Sequence, residues 1–515
     1  MHRPITLTVY TLGTLLLAPW AQAQMAPAPA YSAPIGDRPG DVARGMTATV
    51  SDQTVPVSNP LQGQLISKPG GTPGSNNNNN SVGTATAGVS PRPTPGSLVI
   101  HLNARVTVQW YQGWNSLMNE PAGTARTSNQ MSSWMRLYGG ADGMTANGLR
   151  YGGSWEVRTN LSGASLTPPI NAPTSQAGAT TNLQTLYVRR AFVYAGTDQV
   201  GIIRFGMADG LISLFDGGRT TLQGYSPSGN LNGSDLQSAI GGSSVIPWAF
   251  LSGSADEYST QKVVYLSPNF SGFDFGLQYS PAAGNALAGC GVTSSACSNI
   301  TSSLVPADGA RYKDMVAAGV RYSGAMGPVN VYGYGVYSYA GHVAYNGTAA
   351  TAQAAAGAPA GSTWNGQYDN LSFGSVGLAV TYQGFTLGAN FLGGAVNGRM
   401  AARPSGGAGT TAWLVGAEYK FSNIPLTIGG VFISIDSQGA VAMTGQSQRH
   451  EYGASFGGSY TLAPGMVLFA DYLYQNRKQS GWNFATSAAN APGVAGNANS
   501  TTQGQGFVFG TQMTW

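Results

Sequence analysis

From Leu98 to Tyr111 the chain alternates without a break. Leu98, Ile100, Leu102, Ala104, Val106, Val108 and Trp110 share one parity; Val99, His101, Asn103, Arg105, Thr107, Gln109 and Tyr111 share the other. Side chains of a strand point alternately to its two faces, so this segment reads as a strand with one face in an apolar medium and one in water. Leu149–Leu161 repeats the pattern: Tyr151, Trp155 and Val157 face away from Arg150, Ser154, Glu156 and Arg158. Sixteen such segments are legible, near 98–113, 131–141, 148–161, 183–195, 201–208, 258–268, 273–281, 313–323, 329–340, 368–382, 385–393, 411–421, 426–436, 450–461, 465–476 and 504–515. A soluble sandwich also alternates, but its outer face carries Lys and Glu. Here the apolar faces carry almost none, and only 9% of all residues are charged, against roughly 25% in ordinary soluble domains. A net charge of +4 leaves no dense basic surface, so no nucleic-acid partner is expected. The 42% hydrophobic content is too high for a disordered chain.

A sheet that turns its apolar face to lipid must close on itself, because hydrocarbon offers no partner to an unpaired N–H or C=O. The connections support closure. Long ones (114–130, 162–182, 209–257, 282–312, 341–367, 394–410, 437–449, 477–503) alternate with short ones such as Gln383-Gly384 and 325–328, and both chain ends fall on the short-turn side. The expected fold is all-β: a transmembrane antiparallel β-barrel of sixteen strands, embedded in outer-membrane lipid. Tyr337, Tyr339, Tyr472, Tyr474, Phe273 and Phe275 suit aromatic girdles at its rims. In the last strand Phe507, Phe509, Met513 and Trp515 share one face.

The N-terminus has a secretory layout: Arg3, an apolar run Ile5–Leu17, then Ala21-Gln22-Ala23 as a small-residue cleavage box. Residues 1–23 are expected to be a signal peptide, 24–97 a Pro/Gly/Asn-rich low-complexity periplasmic segment, and 98–515 the barrel. After Ala23 no apolar run is long enough for a membrane helix. In an oxidising compartment Cys290 and Cys297 read as a disulfide pinning one loop. With no His or third Cys beside them, no metal is expected there, and no cofactor anywhere.

Three stretches resemble the general diffusion porins of Gram-negative bacteria. They are Tyr187-Val-Arg-Arg-Ala-Phe-Val-Tyr-Ala-Gly with Val200–Gly206; Val263–Tyr279, similar to the family's Tyr-x-Ser-Pro-x-Phe-x-Gly-Phe hairpin; and Tyr452 through Tyr460-Thr-Leu-Ala-Pro-Gly-Met to the terminal aromatic. The resemblance implies a homotrimer, a third long loop folded into each pore, passive diffusion of small hydrophilic solutes and ions, and a terminal strand read by the barrel-assembly machinery. Two departures stand out: the segment 24–97 precedes the first strand, and Met207 follows Gly206 where the family usually has arginine. Two rival readings remain open: a substrate-selective, sugar-type porin with eighteen strands, or a structural protein tethered to peptidoglycan through 24–97.

Parity places Arg105, Arg136, Arg150, Arg158, Arg189, Arg204 and Arg321 in the lumen, together with Glu156, Glu418 and Asp471. Lys262 is expected in the lumen near the outer mouth, and Arg190, beside Arg189, on the outside. Loop 209–257 brings Asp209, Asp216, Asp235, Asp256 and Glu257; folded inward, it would set an acidic edge opposite the arginines and a field across the passage. No catalytic residue is expected. Gly453-Ala-Ser455-Phe-Gly457 matches G-x-S-x-G, but a nucleophile elbow needs a strand-to-helix turn and this sits mid-strand. His101, His342 and His450 lack ligand spacing.

Overall fold

The structure is a computed structural model and describes residues 95–116, 129–160, 187–197, 199–216, 218–222, 225, 260–282, 301–305, 311–356, 358, 362–398, 402–440, 448–486, 488–490 and 499–514. The expected signal and nearly all of the low-complexity segment, Asp235, Asp256, Glu257, the Cys290–Cys297 disulfide and Trp515 lie outside the described residues.

Sixteen strands form one closed antiparallel barrel. They are β1 (Ser97–Asn115), β2 (Asn129–Met144), β3 (Arg150–Asn160), β4 (Tyr187–Thr197), β5 (Gly201–Ala208), β6 (Thr260–Leu266), β7 (Phe273–Ala282), β8 (Tyr312–Met326), β9 (Val329–His342), β10 (Leu371–Tyr382), β11 (Phe385–Ala395), β12 (Thr410–Lys420), β13 (Leu426–Ser437), β14 (Arg449–Ala463), β15 (Met466–Lys478) and β16 (Thr501–Thr514). Each pairs with its neighbours in sequence, and β16 closes the cylinder on β1, where Trp110 stands opposite Phe509 and Arg105 opposite Thr514. The strand number removes the eighteen-strand alternative. Among the described residues there are two short helices, α1 (Leu211–Asp216) and α2 (Ala349–Ala355), and no helix is long and apolar enough to cross a membrane.

The two faces are inverted relative to a soluble protein. Ile100 is 78% exposed and Phe456 63%, whereas Thr107, Gln475 and Ser338 are fully buried. Lipid is the medium that makes such an exterior favourable. Outward rings pair across strands, as Trp110 with Phe509 and Tyr472 with Phe507, each with centroids 4.9 Å apart. A twelve-residue strand such as β10 extends about 40 Å at ~3.3 Å per residue, enough, at a tilt of about 40°, for an apolar band ~25 Å tall. The short turns use backbone that glycine favours: between β10 and β11, Gln383 and Gly384 have φ of 44° and 85°, matching the primed turns that follow the right-handed twist of a hairpin.

Candidate functional site

The connection from β5 to β6 enters the barrel. Its stems are tied by Lys262, whose buried ammonium donates to Ala208 O at 2.6 Å and to Thr260 Oγ1 at 2.7 Å. All six residues of α1 are buried, and Leu211 N donates to Gln278 Oε1 on β7 at 2.8 Å. The helix is then stapled to β8 and β9. The Arg321 guanidinium stands 5.0 Å from the Phe215 ring, Arg219 stands 4.5 Å from the Tyr332 ring, and the Tyr332 hydroxyl donates to Phe215 O. Further on, Asn390 Nδ2 donates to Thr220 Oγ1 at 2.8 Å, and the hydroxyls of Tyr225 and Ser455 are hydrogen-bonded at 2.7 Å. The loop therefore follows the inner wall from β5 to β14.

Buried charge pairs surround the loop. Arg190 holds Glu156 Oε2 through Nη2 at 2.5 Å and Asp209 Oδ2 through Nη1 at 3.2 Å, with all three side chains nearly inaccessible. Arg321 grips Asp274 in bidentate fashion, at 3.0 Å through Nε and 2.8 Å through Nη2. Arg477 pairs with Glu451 at 2.5 Å, and both Arg477 and Arg449 lie 5.2 Å from the Phe484 ring. Asp216 accepts from Thr220 Oγ1 (2.5 Å), Thr221 Oγ1 (2.8 Å) and Gly218 N (2.9 Å). Its burial raises the carboxyl pKa above the ordinary value, and these hydrogen bonds oppose the rise.

Arg105, Arg204 and Arg321 are buried on the inner face, and Arg136 and Arg150 are half-buried. Arg105, Arg136 and Arg158 stand in register across β1, β2 and β3. Glu418 and Asp471 are buried on the inner face of β12 and β15. One placement is corrected. Arg190, expected outside, is 2% exposed and faces inward, whereas Val188 is 44% exposed on the outer face. Glu156 pairs with Arg190 and Val157 with Val188, so Arg189 is an extra residue without an opposite number. Such a bulge reverses the alternation, and the arginine of the Glu156–Asp209 network is Arg190, not its neighbour. Of the expected acidic loop edge, Asp209 and Asp216 are among the described residues: Asp209 is bonded to Arg190, and Asp216 to hydroxyl and amide groups of its own loop.

Parity on β7 already marks Asp274 as inward, since Phe273 and Phe275 are 52% and 43% exposed. No local pattern marks Tyr225. Ser455 of the G-x-S-x-G match is a mid-strand residue of β14 bonded to Tyr225. His450 pairs with Asp436 and His342 with Asn370, each pair at least partly exposed. Of the terminal strand, Phe507, Phe509 and Met513 are 50–55% exposed on the outer face.

A closed cylinder, greasy outside, polar within and partly filled by its own loop, defines an outer-membrane channel protein. The family model described as Gram-negative porin matches residues 81–480. The chain belongs to that family and forms an outer-membrane channel for diffusion. No curated protein matches it in sequence. Among solved structures, it is similar to the trimer form of OmpT from Vibrio cholerae (13% identity, 81% of this chain and 100% of the other, TM-score 0.44). It is also similar to Salmonella typhi OmpF in complex with daunomycin (16%, 81% and 97%, 0.45). A third is an anion-selective porin from Comamonas acidovorans (13%, 81% and 100%, 0.43).

Proposed function

We propose that the loop between β5 and β6 narrows the lumen and that small hydrophilic solutes and ions pass beside it, through a field set by the barrel walls. The observation that carries this reading is the burial of 211–216 and 218–222 inside the closed cylinder, with their bonds running to the wall. The arginines Arg105, Arg136 and Arg150 come from β1–β3, and Glu418 and Asp471 from β12 and β15. The field therefore lies between two sectors of wall, and Asp209 and Asp216, bonded to Arg190 and to their own loop, contribute little to it. Fixed charges of opposite sign on different sectors of a lumen wall orient dipolar solutes and bias ion passage. No catalytic step is assigned.

In planar bilayers the protein is expected to give discrete ohmic steps; silent bilayers from folded, heat-modifiable protein would refute a passage. In a salt gradient, R105Q/R136Q should move the reversal potential toward cation preference and E418Q/D471N toward anion preference. Equal potentials for both pairs would remove the wall-field reading.

The family context supports a homotrimer, export by a cleaved signal at 1–23, and assembly through Phe507, Phe509, Met513 and Trp515 by the barrel-assembly machinery. A second role, tethering to peptidoglycan through 24–97, rests on Ser97, where β1 begins at the short-turn end of the barrel, the expected periplasmic side.

A further inference from the structure

The bound loop lies closer to the wall than side chains would normally allow. A Cβ built on Gly276 would fall 2.5 Å from Leu211 Cδ2; on Gly377, 2.4 Å from Thr220 Oγ1; on Gly388, 2.7 Å from Leu222 Cγ; and on Gly429, 2.6 Å from Tyr225 Cδ1; on Gly416 it would meet the wall's Gly430 O at 2.4 Å first and Leu222 Cδ1 at 3.0 Å. On Gly319 it would meet the wall's Val336 Cγ2 at 2.7 Å and Gly335 O at 2.9 Å, and Phe215 Cε2 at 3.1 Å. These residues lie on β7, β10, β11, β12, β13 and β8. They are far apart in sequence, yet each meets the loop residue that reaches its strand, in order from Leu211 to Tyr225. None has a φ in the left-handed region, so turn geometry does not require glycine at these positions. Outward-facing glycines of the same sheet meet no loop atom: at Gly335 the nearest neighbour of a built Cβ is Val376 Cγ1 at 3.6 Å.

We propose that this row of inner-wall glycines is the size determinant of the channel: by omitting a layer of side chains it recesses the loop into the wall, and the Tyr225–Ser455 hydrogen bond latches the recessed end. The free cross-section beside the loop is then set by atoms missing behind it. This rests on the reading that the loop limits passage. Interiors are close-packed, so a methyl group added behind a packed segment must displace it, and displacement away from the wall is toward the barrel axis.

Gly388→Ala isolates the effect, because the three atoms nearest its added Cβ all belong to loop residues: Leu222 Cγ at 2.7 Å, Thr220 O at 2.8 Å and Leu222 Cδ2 at 3.0 Å. Single-channel conductance and the solute size limit in liposome swelling should both fall in Gly388→Ala. They should return toward wild type when Leu222→Ala is added, and stay unchanged in Gly335→Ala. Wild-type conductance and size limit in folded Gly388→Ala would overturn the proposal. If Gly388→Ala does not fold, Leu222→Ala alone decides: the loop settles deeper and conductance rises, or it is unchanged and the proposal fails. Replacing 211–225 by a short Gly/Ser link separates the two layers of argument. If conductance does not change, the loop is not limiting and the underlying reading falls. If it rises while the glycine variants do nothing, the glycine row alone is refuted.

Discussion

Arg204 and Arg321 show how differently one residue type is treated inside this barrel. Arg321 is held bidentately by Asp274. Arg204 is fully buried, none of its three guanidinium nitrogens has a hydrogen-bond partner among the described residues, its guanidinium lies 5.5 Å from the Phe192 ring, and Tyr194 stands opposite it in register. A buried charge without hydrogen bonds is costly, whereas breaking a buried pair typically costs about 3–5 kcal/mol because the surviving partner is stranded. Opposite outcomes are therefore expected from the same substitution. Arg321→Met should lower the temperature at which the folded band converts to the unfolded one in detergent electrophoresis, and Arg204→Met should leave it unchanged or raise it. A loss in Arg204→Met as large as that in Arg321→Met would show that Arg204 has a compensating partner.

β4 carries the barrel's most consequential irregularity. Its bulge lets Val188 face lipid and Arg190 face Glu156 with only one residue between them in register. Deleting Arg189 would remove the extra residue and leave Val188 outward and Arg190 inward in simple alternation. Such a variant should still fold to a heat-modifiable barrel. Deleting Val193 from the regular part of the same strand turns half of it inside out and should abolish the folded band. Equal damage from both deletions would mean that the bulge geometry itself is needed. Elsewhere parity served well: β3, β7 and β16 sort into lipid and lumen faces as their sequences suggest. It failed at β4 because alternation counts residues, and a bulge is one residue that the partner strand does not count.

The whole cylinder is a channel whose walls, closure and interior filling come from different sources. If the segment before Ser97 serves only as a tether, removing 24–94 while keeping 1–23 should leave single-channel conductance intact and loosen the envelope, read as increased shedding of outer-membrane vesicles. Altered conductance would place part of that segment in the passage, and unaltered shedding would end the tether reading. Alternation is a relation between adjacent residues, so the sequence by itself determined the strands, their order, their two faces, and hence a closed barrel with apolar residues outside. It also placed Arg105, Arg321, Glu418 and Asp471 on the inward parity, and left Glu451 and Arg477 unmarked. The interior contacts depend on residues that closure brings together, as Tyr225 meets Ser455 across 230 positions of chain. Only the tertiary structure could decide which carboxylate each arginine holds, how the loop lies along eight strands, and why glycine stands behind it.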